Sequence, residues 1–183
     1  MTDIVANDGW FPTAHQLLYH VNIGYPMVDD GSEVLASVTE EPGDMSFTTK
    51  ETAESTSRWR TATDPVEGFT HEGYVVSMHA NADGKVAVAI VNRRLRPEFG
   101  GLGVYLRYDQ RQFPTYIAWR MMREGLYAIG LEPSTNPFGE LDDLLAQGYK
   151  LMLAPGESRT YETEFGILNG ADAIEAFARG LPS

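Results

Sequence analysis

The chain of 183 residues has no cysteine. Disulfides, thiolate metal ligands and thiol nucleophiles are excluded together. Positive charge is scarce as well: 14 Lys and Arg stand against 26 Asp and Glu, a net charge of −12. Such a molecule repels phosphate backbones and anionic bilayers, so neither nucleic acid nor membrane is an expected partner. No apolar run approaches the ~18 residues that span a bilayer. The opening Met1-Thr2-Asp3-Ile4-Val5 lacks both the basic and the hydrophobic segment of a secretory leader, and a cytoplasmic location is the expectation. Histidine is rare, at positions 15, 20, 71 and 79, without the His-x-His or His-Glu-x-x-His spacing of a metal site. There is no Gly-x-Ser-x-Gly elbow, and Gly100-Gly101-Leu102-Gly103 lacks the helix that must follow a phosphate loop, so it reads as a turn. No metal or cofactor is implied. Chemistry falls to His, carboxylates, hydroxyls, Lys and Arg.

What is present is a strand-rich chain of one domain's length. With 18 Gly and 10 Pro, turns are frequent. Alternating or continuous apolar runs predict strands over Gln16–Ile23, Glu33–Val38, Tyr74–Ala80, Lys85–Asn92, Leu102–Tyr108, Thr115–Met122, Leu126–Glu132 and Thr160–Leu168. Asn81-Ala82-Asp83-Gly84 reads as a hairpin turn joining two of them, and Arg123-Glu124-Gly125 as another. Thr39 to Pro65 is polar and aperiodic, an expected surface excursion in which Trp59 is the exception. Two short helices are expected, at Leu141–Gln147 and Ala171–Arg179, each followed by glycine. These elements add up to an all-β fold, an antiparallel β-sandwich formed by residues 1–183 as a single domain.

The stretch from Tyr127 to Pro137 asks for a chemical explanation. An apolar run ends in Glu132, followed by Pro133-Ser134-Thr135-Asn136-Pro137, which reads as a buried strand delivering a carboxylate to a loop at the sheet's edge. Glu132 must pair with a cation, accept hydrogen bonds, or serve an unusual protonation equilibrium. Arg107 or Arg120 could supply a cation. On the strand Gln16–Ile23, Leu18, His20 and Asn22 share one face and Leu17, Tyr19, Val21 and Ile23 the other. His20 and Asn22 either hydrogen-bond a loop or belong to a site. An acid and a base flanking one small molecule suffice for reversible proton transfer. The other three histidines are read as structural.

Four blocks in order carry a resemblance. Leu18-Tyr19-His20-Val21-Asn22-Ile23-Gly24-Tyr25-Pro26, Phe113-Pro114-Thr115-Tyr116-Ile117-Ala118-Trp119, Gly130-Leu131-Glu132-Pro133 with Asn136-Pro137, and Leu153-Ala154-Pro155-Gly156-Glu157-Ser158 resemble segments of an uncharacterised aldose-1-epimerase-like family of the galactose mutarotase-like superfamily. The resemblance implies a supersandwich fold and ring opening of a monosaccharide at its anomeric carbon. By motif, Glu132 would be the general base and His20 the general acid. Trp119, Asn22 and Arg120 would contact an aldose ligand. The usual substrate-binding aspartate has no clear counterpart, Asp109 being a nominal one that a turn-capping role explains better. The chain also resembles only the C-terminal half of that fold, which implies exposed strand edges and either self-association or pairing with another chain. The alternatives to catalysis are a non-catalytic carbohydrate-binding sandwich and a structural half of a two-chain assembly.

Overall fold

The computed structural model describes residues 1–40, 42, 47–48 and 58–183. Its first sheet has the order β1 (Thr2–Ala6), β13 (Ser158–Asn169), β9 (Leu102–Asp109), β8 (Lys85–Asn92), β4 (Glu33–Ala36). The second has the order β3 (Val21–Gly24), β11 (Leu126–Ser134), β10 (Thr115–Arg123), β7 (Glu72–Met78), β5 (Val38–Glu40), with β6 (Phe47–Thr48) also on β7. A small ribbon joins β2 (Thr13–Ala14) to β12 (Met152–Leu153). Every pairing of these strands is antiparallel.

The two sheets face each other as a β-sandwich, because each strand turns its apolar parity inward. Val86, Val88, Ile90, Leu106, Tyr108 and Tyr161 from the first sheet meet Tyr74, Val76, Tyr116, Ala118, Ile129 and Leu131 from the second. Tyr108 and Tyr116 stack across the interface, their ring centroids 6.4 Å apart and nearly parallel. Burial holds both phenols far above the ordinary tyrosine range. Trp59, in a single 3-10 turn at Arg58–Arg60, is also buried in this core. The rest of the expected Thr39–Pro65 excursion contains β5 and β6 but lies largely outside the described residues.

The helix α2 (Ala171–Arg179) has the bounds that its periodicity predicts, and it lays Ile174 and Phe177 on Ala89, Val91 and Leu168, the outward side of the first sheet. The helix α1 (Leu141–Ala146) is shorter and buries Leu144.

Two expectations change. Asn81–Gly84 is a tight turn, with the Asn81 side chain accepting from the amides of Asp83 and Lys85. It does not close a hairpin, since β7 pairs with β10 and β5, and β8 pairs with β9 and β4. The turn carries the chain from one sheet to the other. The predicted strand at Gln16–Ile23 also begins only at Val21. Its neighbour β11 contains Pro133, which has no amide to donate, so the regular ladder gives way to separate bonds. Tyr19 donates its amide to the Pro133 carbonyl at 3.1 Å, and the Thr135 amide donates to the Leu17 carbonyl at 2.9 Å.

Candidate functional site

Sheet register brings the singled-out residues together on the outward side of the second sheet. Trp119, Gly130 and Asn22 are cross-strand neighbours in one line, and Ile117 and Glu132 lie in the next. The β3–β11 pairing sets Val21 against Leu131, and an isolated bridge sets Leu18 against Ser134, which leaves His20 opposite Glu132. Accordingly His20 Nε2 lies 3.1 Å from Glu132 Oε1. The rings of His20 and Trp119 meet edge to face at 5.2 Å. Asn22 is exposed one line away, and Trp119 is half-buried.

Glu132 is not at a strand end or a sheet edge, as the sequence suggests. Its strand continues through Pro133 to Ser134, flanked by β3 and β10. The side chain is 3% exposed while that of His20 is 44% exposed, so the imidazole forms the solvent-side wall of a buried carboxyl. The imidazole contact is close but not aligned as a hydrogen bond, and Oε1 is buried without one. Burial therefore dominates and pushes the Glu132 carboxyl up from 4.5 to about 8. A carboxyl that exchanges its proton near neutrality, in contact with an imidazole, is an acid–base pair.

Arg120 does not join this site. It shares parity with Ala118 and Met122 and points to the sandwich interior, where it is 3% exposed. There its Nε lies 3.4 Å from Glu72 Oε2, and its Nη1 donates to the Arg58 carbonyl at 2.6 Å. Burial lowers its pKa. Nor does Arg107 pair with Glu132, since it donates to Glu164 at 2.9 Å on the first sheet. Adjacent strand residues face opposite ways, so Trp119 and Arg120 cannot serve one site, and that signal was available in the sequence. Asp109 accepts from the Arg111 amide and guanidinium in its own turn, which holds its carboxyl well below the usual range. His15 is a buried partner of the Tyr161 hydroxyl, 2.8 Å away.

A cleft of about 200 Å³ continues the same sheet face beyond Glu132, lined by Leu18, Ile117, Ser134, Asn136, Pro137 and Phe138. A more voluminous groove, about 1030 Å³, is lined by Arg111, Tyr149, Lys150, Arg159 and Tyr161 and includes neither member of the pair. Chemistry outweighs volume here, because the two arginines of the larger groove are engaged: Arg159 holds Glu157 and the Met152 carbonyl, and Arg111 holds Asp109. Among the described residues no three His, Asp or Glu side chains converge on a metal position.

A family model described as "Domain of unknown function (DUF4432)" matches residues 1–167. No protein of curated function matches the chain by sequence. The crystal structure of a Klebsiella pneumoniae protein described as a candidate aldose 1-epimerase superposes with a TM-score of 0.77 at 20% identity, covering 97% of this chain and 44% of that one. The chain thus has the galactose mutarotase-like β-sandwich fold and spans less than half the length of that protein. No described helix is long and apolar enough to cross a membrane.

Proposed function

Starting from a chain that belongs to the DUF4432 family, we propose that it acts on free aldoses as an aldose 1-epimerase-type protein, interconverting anomers by acid–base catalysis. The observation that carries this reading is the contact between the buried Glu132 carboxyl and His20 Nε2 on an open sheet face. In a cyclic hemiacetal the anomeric hydroxyl and the ring oxygen hang on the same carbon. An acid and a base in contact therefore span both oxygens, and a separation of a whole sugar's width is not required.

Glu132, ionised, takes the proton from the anomeric hydroxyl as the bond from the anomeric carbon to the ring oxygen breaks. The ring oxygen takes a proton from His20. Rotation about the adjoining carbon–carbon bond presents the other face of the aldehyde, and the same steps reversed close the ring. Each side chain finishes as it began, with no net proton transfer. Trp119 offers an apolar ring face beside the pair on which a sugar can stack, and Asn22 an amide for its hydroxyls.

Polarimetry or exchange NMR on freshly dissolved aldoses tests this. Anomer interconversion faster than in buffer, abolished by Glu132→Gln, is the expected result. Monosaccharide binding with no acceleration would replace the enzyme with a carbohydrate-binding sandwich.

A further inference from the structure

The Glu132 side chain does not stand away from the sheet. It folds back along β11 and lies over Gly130, two residues earlier on the same outward face. A Cβ built on Gly130 would sit 2.2 Å from Glu132 Oε1, 3.1 Å from its Cδ and 3.3 Å from its Cγ. The carboxyl thus occupies the space that a side chain at position 130 would fill. Backbone conformation does not require glycine there, since Gly130 lies outside the left-handed region that nine of the described glycines adopt. Glycine in the middle of a paired strand packs poorly, and here it permits a close approach.

We propose that Gly130 is a positioning residue: its missing side chain is the berth that holds the Glu132 carboxyl against His20, beneath the solvent and beside Trp119. The inference deepens the proposed reaction and rests on it for its catalytic meaning, whereas the berth itself is a matter of geometry. A methyl group at position 130 would meet the far end of a flexible side chain, so the fold survives and the carboxyl swings outward. Once out, it loses both its burial and its contact with the imidazole. Among the described residues the titratable group facing the berth is His20, from the adjoining segment; the Tyr116 phenol lies on the other face of the sheet, in the core, and feels the Glu132 charge from there. Neither replaces the lost burial.

The test is a carbon-13 titration of side-chain carboxyls, with the Glu132 signal assigned by its loss in Glu132→Gln. In the unaltered protein the midpoint is expected near 8. In Gly130→Ala it is expected to fall by more than one unit, toward the ordinary glutamate range. In the same variant the anomerisation kcat is expected to fall at least tenfold, with its pH profile displaced to lower pH. An unchanged Glu132 midpoint in folded Gly130→Ala overturns the proposal.

Should Gly130→Ala not fold, Glu132→Ala and the double variant Gly130→Ala/Glu132→Ala decide the matter by their melting temperatures. The clash is with the Glu132 side chain, so removing that side chain should let the two melt together. A double variant that melts well below Glu132→Ala puts the clash in the backbone and overturns the berth. If the unaltered protein accelerates no sugar, the proposed function fails while the titration still decides the role of Gly130.

Discussion

Two buried glutamates of the same sheet show how surroundings divide one side chain between two uses. Glu72 on β7 faces inward, with Arg120 Nε at 3.4 Å, Arg58 Nη1 at 3.9 Å and the Tyr74 hydroxyl at 3.4 Å. Glu132 on β11 faces outward, equally buried, with the His20 imidazole beside it and one oxygen lacking a hydrogen bond. The first lies against two guanidiniums, whose charge is permanent, in a structural ion pair. The second has an imidazole and no guanidinium against it among the described residues, and uncompensated burial raises its carboxyl to about 8, so its proton is exchangeable near neutrality. Permanence of the partner's charge, not depth of burial, separates the ion pair from the acid–base pair.

That contrast is breakable. Replacing Arg120 by Leu leaves Glu72 buried beside the more distant Arg58, and stability is expected to fall by about 3–5 kcal/mol in chemical denaturation. The anomerisation kcat of whatever fraction stays folded should hold, because Arg120 points away from the outward face. A matching loss of kcat in the folded protein would merge the two regions. Glu132→Gln is expected to do the reverse: on the order of 10²–10⁴ of the rate is lost, without destabilisation.

The pH dependence of that same variant sharpens the point. Below pH 4.5 Glu132 is protonated in both the folded and the unfolded chain. From there to about 8 the folded protein holds a proton that the unfolded chain has released, so stability falls as pH rises, by at most about 1.4 kcal/mol per unit. Above about 8 the loss is complete. Glu132→Gln removes this slope, so the variant should melt higher than the parent at pH 9 and alike at pH 4. A parent whose melting temperature does not decline relative to Glu132→Gln across that window would place Glu132 with Glu72. The smallest effect is expected from Trp119→Ala: a several-fold rise in KM, about 0.5–1.5 kcal/mol, with kcat little changed.

Much of this was legible in the sequence. Lys85–Asn92 and Ala171–Arg179 have the bounds their periodicity gives, because continuous burial and a helical stripe are strong local signals. His20 and Glu132 were legible as a pair through resemblance, and parity put His20 with Asn22 on one face; whether the pair meets was not legible, because that depends on the register between β3 and β11. Arg120 was misassigned because its residue type outweighed its parity. The Asn81–Gly84 turn misled for another reason: turn chemistry encodes a reversal of direction but not which sheet receives the next strand. Gly130 was legible only as a member of the Gly130–Pro133 block, and not for what it does, since its role lies in space taken by a side chain two positions on. Such a role exists only once the strand is formed.

The crossing at Asn81–Gly84 has a kinetic side. Two hairpins, β8–β9 and β10–β11, pair strands that are close in sequence, and each belongs to a different sheet. Everything else, β13 on β9, β3 on β11 and β1 on β13, waits for segments far along the chain, and closing such long loops is slow. Glu132 belongs to an early hairpin. His20 arrives only when β3 docks, among the late events. On that topology the contact between imidazole and carboxyl is expected to form after the β10–β11 hairpin, and in a refolding experiment recovery of anomerisation should lag behind recovery of sheet signal.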